Sequence, residues 1–271
     1  MRMKVAVAVA VACLATLWTP LAAQGTRDRP TLVFTVSGAY LDGIGLWAVP
    51  DQPVPDLSDT PVVDHFFLSR AVKRTIGAGF SGTYYPGKNL GFNAEAFLLG
   101  LGYDDTCRLV APAQSAANAQ RCSSIDQLER SAAAVATSVG IVYRVASDEF
   151  ISPFVRVSAG FLVNNQSPLL VVGRADSPAE GAQAELIIYD DTNKGTRLRP
   201  AFGLGVGTTI AAGKGYQLRW EIRDHIVGIQ RVTGVSEGRG QVPPHETAYK
   251  HIFSLNVGLD VILERQRGRR Y

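Results

Sequence analysis

Three carboxylates are the first candidates for chemistry, because each lies in a segment that otherwise alternates between apolar and polar residues: Glu95, Glu221 and Asp260. Burial and neighbouring charges tune the pKa of a carboxyl group, so residues of this kind serve as general acids or bases in many enzymes. Arginines occur in the same kind of segment, at Arg156, Arg199, Arg219 and Arg223. Since an arginine partner keeps a carboxylate ionised and fixes its orientation, the pattern favours a structural charge network over catalysis.

The histidines give little support for a nucleophilic site. Asp224 and His225 are adjacent and form the only pair that suits a serine triad, but the sequence places no serine beside them. No histidines and cysteines cluster at the spacing of metal ligands. We therefore expect no catalytic residue, no cofactor-binding residue, no metal site and no enzymatic activity.

The cysteines predict one disulfide. Cys13 lies in the N-terminal apolar run, and Cys107 and Cys122 form an even pair in the rest of the chain. An even pair in an exported protein indicates a disulfide between the two residues. Closing a loop of about 15 residues stabilises a protein by roughly 3 kcal/mol in the chain-entropy model.

The N-terminal segment has the pattern of a secretory signal peptide. Arg2 and Lys4 are followed by an apolar run and then by small residues before Gln24. The run is shorter than the about 20 apolar residues of a transmembrane helix. We expect a signal peptide at 1–23. A lipoprotein box ending at Cys13 is the weaker alternative, because the apolar core before it is short and the expected leucine is missing.

The stretch from His251 to Leu263 predicts a strand with lipid on one side. One face carries only apolar residues: Phe253, Leu255, Val257, Leu259, Val261 and Leu263. The other face carries small or polar residues: Ser254, Asn256, Gly258 and Asp260. A period-two pattern of this length needs an apolar environment on one side only, and a bilayer around a closed barrel provides one.

Eight segments share this strand character: 31–47, 66–85, 89–104, 130–145, 150–164, 197–212, 216–232 and 249–263. The connections between them alternate between short ones, at 86–88, 146–149 and 212–215, and long ones, at 48–65, 105–129, 165–196 and 233–248. Outer-membrane barrels have short periplasmic turns and long external loops. The sequence therefore predicts an all-β fold, an eight-stranded antiparallel up-and-down transmembrane β-barrel over 24–264, with a basic periplasmic tail at 265–271.

The inward faces predict a filled lumen. An eight-stranded barrel is only just wide enough for its own side chains, so charged inward residues are expected to interlock and leave no wide channel. The expected network consists of Glu95, Arg156, Arg199, Arg219, Glu221, Arg223 and Asp260. Aromatic residues near strand ends, among them Tyr84, Tyr85 and Tyr143, predict an interfacial girdle.

Composition excludes two classes of protein. No segment approaches about 18 uninterrupted apolar residues, which argues against a helical membrane protein. The mean hydropathy of +0.07 agrees with strands that are apolar on one face only. The formal charge of +3 falls to about +1 without the signal peptide, which suggests no nucleic-acid partner.

With these features, the chain resembles the small bacterial outer-membrane β-barrel proteins of the OmpA/OmpW-like type over about residues 31–263. Members of that superfamily carry a signal for the barrel-assembly machinery near the C-terminus, which Asn256, Gly258, Val261 and Leu263 fit. The chain departs from the usual form by adding residues 264–271 after the last strand. The resemblance implies an outer-membrane location and assembly by that machinery, and we expect a monomer in contact with outer-membrane lipids and lipopolysaccharide.

Three functions are open at this point. A structural or surface-interaction role, with the four long external loops as the contact surface, is favoured because the lumen is expected to be filled. A narrow channel for small or hydrophobic solutes is the alternative, and it needs a gap in the lumen or a lateral opening. A lipid-modifying enzyme is less favoured, because His251 and Ser254 lack a suitable spacing. A soluble lipocalin-like barrel is opposed by the polar interior.

Overall fold

The structure, a computed structural model, describes residues 30–56, 62–127, 130–147, 149–164, 167–176, 183–190, 198–237 and 240–263. The predicted signal peptide at 1–23 and the predicted basic tail at 265–271 lie outside the described residues. Within the described ranges the chain forms twelve strands and one helix. In chain order these are β1 Thr31–Leu41, β2 Ile44–Pro55, β3 Val63–Val72, β4 Thr75–Tyr85, β5 Leu90–Leu109, α1 Ala116–Gln127, β6 Arg130–Arg144, β7 Ile151–Asn164, β8 Val171–Asp176, β9 Gln183–Tyr189, β10 Leu198–Gly213, β11 Tyr216–Val232 and β12 His245–Leu263.

Eight of the described strands close into an antiparallel barrel. The order around the wall is β1, β4, β5, β6, β7, β10, β11, β12 and back to β1. Closure occurs between the first and last strands, where Leu32 pairs with Leu263 and Leu41 pairs with Ser254. The predicted eight-stranded transmembrane barrel is confirmed.

The two faces of the barrel wall follow the alternation in the sequence. On β12, Phe253, Leu255, Val257 and Leu259 are exposed, whereas Ser254, Asn256 and Asp260 are buried in the lumen. Similar exposed apolar rows run along the other strands of the wall, and they include Val36, Phe80, Val139, Val157, Leu204 and Ile222. A closed barrel with such an apolar belt is the architecture of bacterial outer-membrane proteins, which agrees with the expected location. No helix in the described part of the chain is long and apolar enough to cross a membrane.

The short connections mark the periplasmic end of the barrel. The tightest joins β10 to β11, where Gly215 has a φ of +83° and its carbonyl accepts a 2.8 Å hydrogen bond from Ile262 N. This left-handed conformation favours glycine. Tyr84 and Tyr143 face outward near this end, as predicted for a girdle. The assignment of Tyr85 to the girdle is wrong: neighbouring residues on a strand face opposite sides, and Tyr85 is buried in the lumen.

The four long external connections contain strands and a helix that the sequence did not predict. The predicted loop 48–65 contains most of a β2–β3 hairpin, and 105–129 contains the end of β5 and α1. The predicted loop 165–196 contains the β8–β9 hairpin, and β12 begins within 233–248. The physical reason is that strand pairing continues beyond the membrane, since β3 pairs with β5 from Phe66–Leu109 to Val72–Tyr103.

These external segments form one compact unit, which we call the external cap: β2, β3, the part of β5 from Tyr103 onward, α1, β8, β9 and residues 233–237 and 240–244. Its interior is apolar and includes Trp47, Val54, Phe66, Leu68, Leu169, Ile188 and Tyr189. Burying one large apolar side chain stabilises a fold by about 1.5–3 kcal/mol. The cap therefore has a hydrophobic core of its own, and this core is continuous with apolar side chains in the outer part of the lumen.

Candidate functional site

The centre of the lumen holds a ring of four charged side chains. Glu95 comes from β5, Arg156 from β7, and Glu221 and Arg223 from β11. Arg156 and Arg223 each contact both Glu95 and Glu221. All four side chains are at most 6% exposed. Each charge therefore has two opposite neighbours, which compensates for much of the cost of removing it from water.

Arg223 makes the most extensive contacts in this ring. Its Nε and NH2 donate to the two oxygens of Glu221 at 3.1 and 3.0 Å. Its NH1 and NH2 donate to the two oxygens of Glu95, the latter at 3.2 Å. Paired bonds between a guanidinium and a carboxylate are among the strongest hydrogen bonds in proteins. The side chain is thus held on both sides.

A second ion pair lies nearer the periplasmic end. Asp260 of β12 is fully buried and accepts hydrogen bonds from Arg219 Nε at 3.1 Å and Arg219 NH2 at 3.0 Å. The hydroxyl of Thr35 donates to the same carboxylate at 2.7 Å. This arrangement spans β11, β12 and β1, so it joins the last strands to the first.

Arg199 lies in a different layer of the lumen from the other network residues. It pairs in register with Leu162 of β7 and interacts electrostatically with Tyr103. The alternation of side chains in the sequence indicated that Arg199 faces inward, but not how deep it lies in the lumen.

A glycine makes room for the central ring. Gly205 of β10 lies between Arg156 and Arg223 in the strand register. A Cβ atom at this position would collide with Oε1 of Glu221. The alternation of glycine with large apolar residues on β10 thus serves the packing of the charged side chains, as expected for a narrow barrel.

Above the charged layer the lumen becomes apolar. Leu41, Phe97, Leu99, Leu162 and Ile252 are buried there and belong to the cluster that continues into the cap. This layer lies between the charged centre and the cap.

A buried salt bridge that the sequence did not reveal lies within the cap. Arg70 of β3 donates from Nε and NH2 to the two oxygens of Asp105 on β5, at 2.5 and 2.6 Å. The guanidinium lies between the rings of Trp47 and Tyr103, with its Cζ atom 5.5 and 5.2 Å from their centroids. NH2 also donates to the carbonyl of Leu170 at 2.8 Å. Asp105 falls in a segment that was predicted as loop, so sequence alternation gave no sign of the pair.

One glutamine connects three parts of the cap. The buried Oε1 of Gln52 accepts hydrogen bonds from Tyr189 Oη at 2.7 Å and from Ser236 N at 2.9 Å. Its Nε2 donates to the carbonyls of Pro53 and Ser236, both at 2.9 Å. The β2–β3 hairpin, β9 and the segment after β11 are thereby held together over the mouth of the barrel. Burial raises the pKa of the Tyr189 hydroxyl above its usual range.

The predicted disulfide is present and belongs to the cap. Cys107 of β5 is bonded to Cys122 of α1, across a sequence separation of 15. The start of α1 is also fixed, because Asp64 of β3 accepts hydrogen bonds from Ser115 N at 3.2 Å and Asn118 Nδ2 at 3.0 Å. Carboxylates stabilise helix N-termini in this way.

The structure brings together a histidine and a serine that the sequence did not pair. His225 Nε2 lies 3.0 Å from Ser254 Oγ, and Asn256 Nδ2 donates to the same oxygen at 3.0 Å. Both His225 and Ser254 face the lumen next to Arg223, not the membrane rim. The adjacent Asp224 contacts His251 at 2.7 Å instead. Among the described residues, no group of three or more potential metal ligands is present.

The four residues of the predicted assembly signal lie on the periplasmic half of β12. Asn256 and Gly258 face the lumen, and Leu263 is exposed at the end of the strand. Val261 pairs with Phe34 of β1 and Tyr216 of β11. Their role in assembly stays a prediction.

No family model and no curated protein matches the chain. Among solved structures it is similar to Neisserial surface protein A (NspA), with a TM-score of 0.41 and 9% identity over 85% of this chain and 96% of that chain. For the outer membrane protein OprG from Pseudomonas aeruginosa the TM-score is 0.43, with 7% identity over 88% of this chain and 98% of that chain. For the outer membrane protein AlkL the values are 0.40 and 14%, over 93% and 99% of the two chains. The fold assignment rests on the strand pairing of this chain.

Proposed function

We propose that this protein is a surface-interaction barrel: a rigid outer-membrane support that presents the external cap to the outside. The observation that carries this proposal is the cap itself. Its segments have a common hydrophobic core, a disulfide and a buried hydrogen-bond centre at Gln52. An ordered surface of this kind binds a partner with a smaller loss of conformational entropy than flexible loops.

The lumen supports the same proposal. The ring around Arg223 bridges the interior from β5 to β11, and an apolar layer lies above it. The cap then covers the external mouth. A barrel arranged in this way is a support rather than a pore.

The outer surface of the cap carries exposed charged groups of both signs. Arg174 and Glu185, on β8 and β9, form an exposed ion pair at 2.7 Å. On the β2–β3 hairpin, Asp51 and His65 form an exposed hydrogen bond at 2.5 Å. Such a surface favours recognition by charge complementarity, which sets specificity and association rate more than affinity.

Labelling of intact cells tests whether the cap is displayed outside. Arg174→Cys should react with a membrane-impermeant maleimide on intact cells. The matched variant Lys214→Cys, in a periplasmic turn, should react only after the outer membrane is permeabilised. If only Lys214→Cys were labelled on intact cells, the barrel would have the opposite orientation and the proposal would be refuted.

A narrow channel is the second candidate, and one feature of the wall favours it. The pairing of β1 with β12 ends at Leu41 and Ser254, followed by a single bond from Asp42 N to Phe253 O. Beyond this point, in the described residues, β2 pairs only with β3 and the external part of β12 pairs only with β11. The seam between β2 and β12 is the place where a hydrophobic solute would enter laterally.

Uptake by proteoliposomes separates the two candidates. The surface-interaction proposal expects arabinose and a fluorescent fatty acid to enter vesicles with the protein no faster than empty vesicles. Faster uptake of the fatty acid would favour the channel if a cross-link between cysteines that replace Asp42 and Phe253 abolishes the increase.

The expected partners form part of the proposal. The apolar belt is the surface that contacts outer-membrane lipids and lipopolysaccharide, and the last strand carries the recognition signal for the barrel-assembly machinery. We propose a monomer, since the wall closes within one chain. We assign no catalysis to His225 and Ser254, because both side chains lie inside the filled lumen and contact its polar network.

A further inference from the structure

The periplasmic end of the lumen contains a buried arginine that has no counter-ion among the described residues. Arg144 is the last residue of β6 and is 6% exposed. Its guanidinium lies over the ring of Tyr85, with Cζ 3.6 Å from the centroid. Among the described residues no carboxylate pairs with it, and its Nε has no hydrogen-bond partner. An unpaired buried charge is costly, so this residue calls for a ligand or a function.

Two further donors in the same layer also lack partners in the part of the chain that the structure describes. There, NH1 of Arg219 is buried without an acceptor, although Nε and NH2 hold Asp260. The hydroxyl of Tyr85 is likewise buried without a partner among these residues. Arg144 pairs in register with Phe154, and the guanidinium of Arg219 lies 4.8 Å from the centroid of the Phe154 ring. Arg219 also interacts electrostatically with Tyr85, so these groups form one layer.

The charge balance of this part of the lumen points in the same direction. The inward ionic groups of the central and periplasmic layers are Arg144, Arg156, Arg219, Arg223, Glu95, Glu221 and Asp260. The three carboxylates are shared among Arg156, Arg219 and Arg223. Among these described groups, one positive charge, that of Arg144, is left over.

We propose that the layer of Arg144, Arg219 and Tyr85 binds a small oxoanion at the periplasmic end of the barrel. Guanidinium groups present paired N–H donors that match the oxygens of a phosphate or carboxylate group, and buried charge-assisted bonds of this type are strong. The ligand neutralises Arg144 and accepts from the free donors of Arg219 and Tyr85. This assignment goes beyond the surface-interaction proposal and does not depend on it.

The backbone is shaped for this layer. Gly91 of β5 faces Tyr85, and a Cβ atom there would lie 2.6 Å from the tyrosine ring. Tyr85 and Arg144 are the last residues of their strands, next to short periplasmic turns. The site therefore lies near the periplasm, where two sources supply the same chemistry: a free oxoanion, or the phosphate of a lipid headgroup in the inner leaflet.

Titration calorimetry with inorganic phosphate tests the site. The full chain is folded in a detergent that carries no phosphate, and sodium chloride at equal ionic strength serves as the reference. We expect one saturable phosphate site, and Arg144→Gln should weaken it about tenfold or more, the loss expected for charge-assisted bonds. The matched variant Arg174→Gln, which makes the same change on the cap, should bind phosphate as the unchanged chain does.

A second variant covers the event that Arg144→Gln does not fold. Tyr85→Phe keeps the ring that supports Arg144 but removes the hydroxyl. It should weaken phosphate binding by a smaller factor than Arg144→Gln does, while leaving the fold unchanged. Phosphate should also raise the unfolding temperature of the unchanged chain, because a ligand that binds only the folded state stabilises it. Absence of binding above the chloride reference, or equal binding by Arg144→Gln or Tyr85→Phe, would overturn the proposal.

The source of the ligand follows from a competition arm. Short-chain phosphatidylglycerol below its micellar concentration is titrated in place of phosphate. Displacement of phosphate by this lipid, dependent on Arg144, would identify a headgroup as the ligand. Phosphate binding that the lipid does not affect would identify a free oxoanion.

Discussion

Arg223 on β11 and Glu95 on β5 meet across the lumen, from strands on opposite sides of the barrel. Three strands separate β5 from β11 in each direction around the wall. The guanidinium nevertheless contacts both carboxylate oxygens of Glu95, while it also holds Glu221 on its own strand. The lumen is thus bridged at its centre by side chains, and the ring should contribute to the stability of the barrel.

Glu221→Ala tests this contribution. The change leaves Arg156 and Arg223 short of a carboxylate in a buried site, and loss of one partner of a buried pair costs about 3–5 kcal/mol. Urea unfolding of the barrel in lipid vesicles measures the loss. Glu185→Ala, which removes an exposed partner in the cap, should cost at most about 1 kcal/mol. Equal effects of the two changes would show that the central ring does not stabilise the barrel.

Leu259→Arg tests the lipid face. Leu259 is exposed in the apolar belt of β12, and an arginine near the bilayer midplane costs about 2–4 kcal/mol. The same change at Leu263, at the periplasmic end of the same strand, should cost about 0–1 kcal/mol, because the penalty falls towards the interface. Unfolding in vesicles measures both. An equal loss of stability at the two positions would show that the apolar belt lies at another depth.

Removal of the disulfide tests the independence of cap and barrel. Replacing Cys107 and Cys122 by serine should remove roughly 3 kcal/mol of loop-closure stabilisation from the cap. We expect faster proteolysis of the cap, unchanged strand content by circular dichroism and unchanged heat-modifiable migration of the barrel. Loss of heat-modifiable migration would instead show that the barrel depends on the bond.

Alkaline pH should loosen the cap through Tyr189. Burial raises the pKa of its hydroxyl, so the folded cap keeps a proton that the unfolded chain loses near the ordinary tyrosine value. Stability is therefore fully present below about pH 10 and decreases as the pH rises above that value. Limited proteolysis at increasing pH should show this loss, and Tyr189→Phe should reduce it. A pH dependence unchanged by Tyr189→Phe would assign the effect to other groups.

The sequence predicted the barrel wall well because burial on one face only forces a strict alternation of side chains. It therefore identified which residues face the lumen, including Glu95, Glu221 and Asp260. It did not identify which of them meet, because contacts across a lumen depend on strand order and depth. The pairing of Glu95 with Arg223, and the different layer of Arg199, required the closed structure.

The cap was missed for a different reason. Its strands lie outside the closed barrel wall, and β2 contains Pro50, Pro53 and Pro55. Proline is rare inside strands, so these residues did not indicate one. Tyr85 was misassigned because Tyr84 and Tyr85 are adjacent and only one of them can face the lipid. The contact between His225 and Ser254 follows from the neighbouring positions of β11 and β12, which no local pattern reveals.

Planar-bilayer recording tests the central claim most directly, namely that the barrel is closed by its own side chains and cap. The purified full chain, inserted into a bilayer, is predicted to show no steady conductance above that of the protein-free membrane. Replacing both Glu95 and Arg223 by alanine removes the bridge across the lumen and should increase the conductance. Large and stable conductance of the unchanged chain would contradict the account and make the channel the favoured function.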